Sequence, residues 1–223
     1  MHLKRLNAPK TWDLPRKKTV FVTKSNPGKV ADLSLPLDAV LRDVLGKVRT
    51  KKEVNYVLTF GEILVNGQRR KNRRYPVGFM DILTIPKLDE HYILLINPRN
   101  KLYFKKLSKK EAETRLVKLT NKTRTRQGLQ LNCLDGTNLL VKKDGYSTGD
   151  TLVLHTQDNK PVDHFKLEKG ATVLLYKGKH AGTVTRVENI EQDKLYFKIN
   201  DQLRHTEKDY AIVIGKDKPW VNV

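Results

Sequence analysis

The sequence predicts an α+β, multi-domain protein: an extended basic N-terminal arm, a compact helix-and-hairpin domain, then small β-barrel modules. Three observations predict it. Residues 34–60 carry apolar side chains at helical spacing and run into an Asn-Gly turn. From residue 127 on, short apolar strands alternate with turn residues. Charge is split: residues 1–126 hold 30 Lys/Arg against 11 Asp/Glu, and residues 127–223 hold 14 against 13. The formal net charge of +20 over 223 residues says little about fold. It does speak to partners, because such a field attracts nucleic acid or an anionic membrane.

Several classes are excluded at this stage. A single cysteine, Cys133, rules out a disulfide framework within the chain. No run of 18 apolar residues suggests a membrane-spanning helix. The N-terminus lacks the apolar stretch of a secretory signal, and Pro9, Pro15 and Pro27 would break the amphipathic helix of a transit peptide. The expectation is a soluble protein of a reducing compartment with no membrane partner.

Residues 1–34 form the basic N-terminal extension. Lys4, Arg5, Lys10, Arg16, Lys17, Lys18, Lys24 and Lys29 face a single acid, Asp13, within residues 1–30. The segment has no helical or strand periodicity, and alone it cannot bury enough to offset the entropy of ordering. It is expected to order along a phosphate backbone, with Trp12 and the prolines favouring a docked arm.

Residues 35–88 form the next domain. Leu37, Val40, Leu41, Val44 and Leu45 make one apolar stripe, predicting a helix over 34–46 capped by Ser34 and ended by Gly46. Thr50 and Glu53 form a capping-box pattern that opens a second helix. Val54, Val57 and Leu58 give its buried face, and Gly61 suits its C′ position. Ile63 and Val65 alternate into Asn66-Gly67, a hairpin signal. Arg73–Val77 returns, and Asp81–Ile85 reads as the closing strand. The hairpin carries NGQRRKNRRY, with five cations between Gln68 and Arg74. Such a run is ordinarily a solvated turn. The sharper reading is that a polyanion lies against it, on one cationic face with Lys51 and Lys52.

Residues 89–168 are expected to be a central, mostly-β domain. HYILLINP reads as a strand, Ser108 and Glu111 as the capping box of a short helix. Between Arg99 and Arg126 lie eleven Lys/Arg, a second basic stretch. Leu129, Leu131 and Cys133 alternate ahead of Asp135-Gly136, and Leu139-Leu140-Val141 returns. Cys133 is expected to be a small core residue. Strands TLVLH, ATVLLY, GTVTRV, KLYFKI and YAIVIG follow, and residues 169–223 form a last barrel with the C-terminal segment. Six dispersed histidines and one cysteine offer no metal-ligand spacing. No nucleophile has a base partner, and Asn26-Pro27-Gly28-Lys29 lacks the first glycine and the Ser/Thr of a phosphate-binding loop. No catalytic residue, metal or cofactor is expected.

Segment 35–85, through Gly61-Glu62-Ile63-Leu64-Val65-Asn66-Gly67 and Asp81-Ile82-Leu83, resembles the S-four RNA-binding domain. Residues 170–190, with Gly178-Lys179-His180-Ala181-Gly182 as the tight loop, resemble a KOW motif, which sits in an SH3-like barrel. Adding His2-Leu3-Lys4-Arg5-Leu6-x-Ala8-Pro9 and Tyr146-x-Thr148-Gly149-Asp150-Thr151, nearly the whole chain resembles the S-four-e type small-subunit ribosomal proteins of archaea and eukaryotes. Its start, almost directly at His-Leu-Lys-Arg, favours the archaeal kind.

The resemblance implies a non-enzymatic structural component of the small ribosomal subunit, cytoplasmic, bound to small-subunit rRNA and neighbouring ribosomal proteins. No obligate homo-oligomer is implied. The expected RNA contacts are His2, Lys4, Arg5, Lys10, Arg16, Lys17 and Lys18 in the arm, and Arg42, Lys51, Lys52, Asn66, Gln68, Arg69, Arg70, Lys71, Arg73 and Arg74 in the hairpin domain. They continue with Lys105, Lys106, Lys109, Lys110, Lys122, Arg124 and Arg126 in the second basic stretch, and Lys177, Lys179 and His180 at the KOW loop. Arg69 and Arg70 together are expected to matter more than any lone lysine of the arm. Gly178 and Gly182 serve equally well as mere permission for a tight hairpin. Two other classes compete: a transient RNA chaperone or transcription- or translation-linked factor, and an RNA-modifying enzyme using the S-four domain as a handle. The latter needs a further domain with a positioned Asp, where this chain has barrel-like strands.

Overall fold

The structure, a computed structural model, describes residues 2–17, 19–142, 144–199, 202–216 and 220. The chain divides into two compact units. The first comprises residues 1–96 with 100–115, and the second residues 97–99 with 116–223. Residues 89–168 are thus shared between the two. Strands dominate both units; among the described residues α-helix is confined to short segments of the first, and the second has a 3-10 turn at Lys208–Tyr210.

The first unit begins with β1 (Leu3–Lys4) paired antiparallel to β2 (Phe21–Val22). The arm is not a free extension. Trp12 is 1% exposed and donates from its indole N–H to the Ala31 carbonyl at 3.2 Å. Ala8, Leu14 and Val22 are buried, and the Leu102 amide donates to the Thr11 carbonyl at 2.8 Å. The expectation of an arm ordered only by phosphate is corrected. Four apolar residues scattered without periodicity suffice to seat it on its own unit, where a pattern-based reading sees no face.

The helix expected over 34–46 starts late. Ser34–Pro36 is a strand, β3, paired with β6 (Pro76–Gly78). The Ser34 hydroxyl donates to the Val30 carbonyl and caps nothing. Helix α1 (Leu37–Ala39) follows and widens into a π turn over Val40–Val44, with Leu45 N–H bonded to the Val40 carbonyl at 2.9 Å. Pro36 lacks a donor and fixes φ, so the chain turns helical only beyond it. Gly46, at φ +63°, ends the element as expected.

Helix α2 (Lys51–Phe60) carries the capping box: Glu53 N–H donates to the Thr50 hydroxyl at 3.2 Å, and Glu53 reaches back to the Arg49 N–H at 2.8 Å. That N–H first, then the Thr50 hydroxyl, holds the Glu53 carboxyl below the usual range. Gly61 is extended, not left-handed as a C′ glycine would be. It is needed for closeness, because a Cβ there would overlap the Val57 carbonyl oxygen.

β4 (Leu64–Val65) and β5 (Gln68–Arg69) form the expected hairpin, with Asn66 and Gly67 at φ +51° and +72°, the twist two-residue hairpins prefer. With β7 (Ile82–Ile85), β8 (Glu90–Ile96) and β9 (Leu102–Leu107) they make one sheet in the order β5-β4-β7-β8-β9. Leu35, Leu37, Leu41, Val54, Leu58, Ile63, Val65, Ile82, Leu83 and Leu94 are all buried; each contributes about 1.5–3 kcal/mol. The helix expected after Ser108 is a single 3-10 turn, Glu111–Glu113, although the Ser108–Glu111 reciprocal bonds form.

One buried carboxylate ties these pieces together. Asp81 accepts from Lys29 Nζ, from Asn66 Nδ2 at 2.9 Å and from the Gly78 N–H at 2.7 Å. Asn66 Oδ1 in turn accepts from the Ile82 N–H at 2.9 Å.

In the second unit, β10 (Thr114–Thr125, of which the first two residues belong to the first unit), β11 (Gly128–Cys133), β12 (Asn138–Val141), β13 (Thr151–His155) and β14 (Pro161–Phe165) form a sheet ordered β12-β11-β10-β13-β14. A register shift between Leu119 and Asn121 bends the long β10. Val117, Leu119, Leu131, Cys133, Leu152 and Leu154 pack as one apolar cluster, Cys133 among them as expected. β15 (Thr172–Leu175), β16 (Val184–Glu191), β17 (Lys194–Ile199), β18 (Gln202–Glu207) and β19 (Ala211–Gly215) form the second sheet, ordered β18-β17-β16-β15-β19. These are barrel-like sheets of the kind the strand spacing predicts.

Lys118 sits in the interior of this unit, a residue no sequence pattern flags. Its ammonium donates to the carbonyls of Asp209 (2.7 Å) and Lys208 (3.3 Å) and lies 5.5 Å from the Tyr176 ring centre. Burial holds its pKa down to about 8.

Two expected outcomes follow from this packing. Asp81→Ala strands a buried ammonium and an Asn side chain and is expected to cost about 3 kcal/mol or more in urea unfolding of the first unit. For Lys118, the folded chain releases its proton near pH 8 and the unfolded chain only near 10.5. Below pH 8 the charge penalty is fully present; between pH 8 and 10.5 the unfolded state binds more protons, so stability rises with pH, by about 3 kcal/mol in total. Unfolding curves across that window should show the rise, and Lys118→Met should abolish it.

Candidate nucleic-acid interface

The run of cations on the hairpin does not form one patch. α2, about 15 Å long for its ten residues, separates its members. Arg69 lies at the far end of α2 and donates to the carbonyls of Thr59 (3.0 Å) and Gly61 (3.1 Å). It satisfies acceptors that every helix C-terminus leaves open. Arg70 lies 4.4 Å over the Tyr75 ring and donates to Gln68 Oε1. These two arginines, expected to outweigh any lone lysine of the arm, are thus occupied in holding the hairpin.

Arg73 and Arg74 go the other way, to the N-terminal end of α2. With Lys51, Lys24, His2 and Phe21 they line a groove of about 280 Å³. Tyr75 N–H bonds to the Asn72 carbonyl, Arg74 N–H to Asn72 Oδ1, and Arg74 Nε to the Lys24 carbonyl at 3.2 Å. Asn26 N–H donates to the Arg74 carbonyl at 2.8 Å. The loop is therefore laced to the arm by one backbone bond and by the Arg74 guanidinium, whose side chain is still exposed, with Arg73 half-buried beside it. Among the described residues, no hydrogen bond or ion pair occupies the side chains of Lys51, Lys52, Lys71 or Arg73, and no carboxylate lines the groove. The Asp38 carboxylate lies buried beside this region, accepting from the Thr23 hydroxyl, while its amide donates to the Arg73 carbonyl at 2.9 Å.

Other expected contacts serve internal tasks. Arg42 is paired with Asp43 at 2.7 Å and Asp38 at 3.4 Å; the Asp43 bond foremost raises its pKa, against burial. Asn66 spends its amide on Asp81 and Ile82. Arg5 donates to the Leu14 carbonyl and fixes the arm. Lys122 is held by Asp144 (2.8 Å) and the Tyr146 carbonyl (2.7 Å). For Lys122 the sequence shows the charge but not the carboxylate that folding brings beside it, whereas Asp38 and Asp43 stand close to Arg42 in the sequence itself.

His2, Lys4, Lys10, Arg16 and Lys17 are exposed in the arm, and Lys18 lies outside the described residues. Lys106 is 3.8 Å from Glu90, and Lys105 is half-buried. Lys109, Lys110, Arg124 and Arg126 are exposed.

The tight loop between β15 and β16 has both glycines at positive φ, Gly178 at +81° and Gly182 at +78°. A Cβ on Gly182 would overlap the Asn97 carbonyl, so this glycine serves close backbone approach as well as the turn. Lys177 and Lys179 are exposed. His180 stacks edge-on to Phe197 at 5.7 Å. Burial first, then Arg204 and Lys179, lower its pKa, so at neutral pH it adds no cation.

Among the described residues no cluster of His, Cys, Asp or Glu is arranged for a metal ion, and no helix is long and apolar enough to cross a membrane.

The division of labour among the cations is measurable. Arg73→Ala and Lys51→Ala are expected to change unfolding free energy by about 0.5 kcal/mol or less. Arg42→Ala, which leaves the buried Asp38 carboxylate with less compensation, is expected to cost about 2 kcal/mol or more.

Comparison with known proteins aligns with this architecture. A family model described as Ribosomal family S4e matches residues 88–161, and one described as RS4NT (NUC023) domain matches residues 1–28. The chain is 37% identical to small ribosomal subunit protein eS4 of Archaeoglobus fulgidus, covering 100% of this chain and 98% of the relative. It is also 37% identical to that of Methanosphaera stadtmanae, covering 100% and 95%. The crystal structure of 30S ribosomal protein S4e from Thermoplasma acidophilum is similar with a TM-score of 0.74 at 25% identity, over 85% of this chain and 99% of that one.

Proposed function

The chain belongs to the S4e family of ribosomal proteins, and from that premise we propose that it is a structural component of the small ribosomal subunit that binds and stabilises folded small-subunit rRNA. The observation that carries the RNA-binding reading is the groove at the start of α2. There Lys24, Lys51, Arg73 and Arg74 converge with no carboxylate among the described lining residues. Arginine forks bridge phosphate oxygens, and structured RNA is recognised chiefly through phosphate, shape and 2′-hydroxyl contacts. Lys52 and Lys71 extend the same cationic surface, and the exposed arm lysines His2 precedes, Lys4 and Lys10, add to it. Arg69 and Arg70 support it from within the hairpin.

In this reading residues 35–88 are an S-four-like RNA-binding domain, with 1–34 as its basic extension. Residues 89–168 are a central mostly-β domain, and 169–223 a KOW-type SH3-like barrel with the C-terminal segment. The positive-φ glycines of the 178–182 loop and the five-stranded sheet around it support the last assignment. Lys109, Lys110, Arg124, Arg126, Lys177 and Lys179 are further phosphate or neighbour contacts on exposed ground. The partners are rRNA and adjoining small-subunit proteins, and the location is the cytoplasmic ribosome. The chain performs no catalysis in this role.

Sedimentation of a native lysate tests the role. The protein is expected to travel with small subunits at both moderate and high salt; release to the top of the gradient at moderate salt would instead assign it to transient RNA binding. With isolated rRNA, each phosphate contact adds close to one to the slope of log affinity against log salt. Lys51→Ala and Arg73→Ala are each expected to lower that slope by about one.

A further inference from the structure

Phe21 stands out at the rim of the groove. The two-residue strand β2 turns Val22 inward and Phe21 outward, leaving the ring 51% exposed. A solitary exposed apolar residue is ordinary on a protein surface. This one lines a groove otherwise dominated by cations, and its ring meets His2 at 5.6 Å between centroids. Lys4 pairs with Phe21 across β1 and β2, so His2, two residues before Lys4, lies on the same face as Phe21. Two grooves of the second unit carry carboxylates, Glu168 in one and Asp193, Glu207 and Asp209 in another, and among the described residues no Phe, Tyr or Trp lines either.

An aromatic face beside arginine and lysine is the arrangement by which proteins take an unpaired base: the ring stacks on the base and the cations take the flanking phosphates. A duplex keeps its base faces stacked inside, so the exposed ring has no use against one. A groove of about 280 Å³ suits a single extruded nucleotide.

We infer that the groove holds one unpaired, extruded nucleotide of the RNA, its base stacked on Phe21 against His2 and its phosphates on Lys51, Arg73 and Arg74. This rests on the proposed rRNA binding and names what that surface reads. Stacking is nearly independent of salt, whereas phosphate contacts are not. The Phe21 contribution therefore separates from that of the cations.

The experiment uses the full-length chain and deproteinised small-subunit rRNA, with filter binding across a salt series and ultraviolet crosslinking read by mass spectrometry of nucleotide-modified peptides. A nucleotide adduct on Phe21 or His2 is expected. Phe21→Leu should lose it and weaken binding about tenfold with the salt slope unchanged. Phe21→Trp should bind as the natural chain does. Because the side chain is exposed, both variants are expected to unfold at the same urea concentration as the natural chain, which is measured alongside. Adducts confined to other residues, or unchanged affinity in Phe21→Leu, overturn the stacked nucleotide while leaving rRNA binding in place. In reconstituted subunits, a crosslink from Phe21 to a protein neighbour, with rRNA affinity unaffected by Phe21→Leu, assigns the groove to that protein and also overturns it. Absence of any salt-dependent rRNA binding by the natural chain rejects the proposed function, and this inference with it.

Discussion

The first unit depends on the bonds made by Asp81. A carboxylate with almost no exposure is costly unless it is paired and its lone pairs are filled. Here the partners come from three places in the sequence: Lys29 behind the arm, Asn66 in the hairpin turn and the Gly78 amide at the end of β6. Satisfying one buried charge therefore fixes three segments relative to each other. The Arg74–Asn26 backbone bond adds to that placement, and arm and loop meet at the start of α2.

Much of this was legible in the residues. The capping box at Thr50–Glu53, the Asn66-Gly67 turn and the stop at Gly46 form where local chemistry puts them, because each rests on interactions within a few residues; the strand over 82–85 follows its apolar pattern and pairs with β4 and β8. What failed was non-local. Ser34 has the chemistry of a helix cap, yet pairing with Gly78 claims its backbone. Trp12 looks like an aromatic interspersed in a basic tail, yet a carbonyl nineteen positions away and a fitted site bury it. Neither partner can be read from a window of sequence.

The candidate site shows the same limit in electrostatic form. Counting positive residues places Arg42, Arg69, Arg70 and Lys122 beside Lys51, Arg73 and Lys71 as equals. Folding divides them. Arg42 and Lys122 meet carboxylates, Arg69 meets the open end of a helix, and Arg70 meets a ring. Charge density locates the surface, but availability depends on acceptors, some adjacent in sequence, as Asp43 is to Arg42, and some brought from farther away, as Asp144 is to Lys122.

The seating of the arm has a consequence for how the protein is made. Thr11 is bonded to Leu102, so a contact begun near the start of the chain waits for a residue some ninety positions later. At about 5–20 residues per second that interval lasts roughly 5–20 s. Until then the nascent arm, with eight cations in its first thirty residues, has only partners nearer in sequence, such as Ala31 for Trp12 and β2 for β1. The arm is therefore held less firmly before residue 102 is made, and the bond from Leu102 at the start of β9 is among the last of its anchors to form.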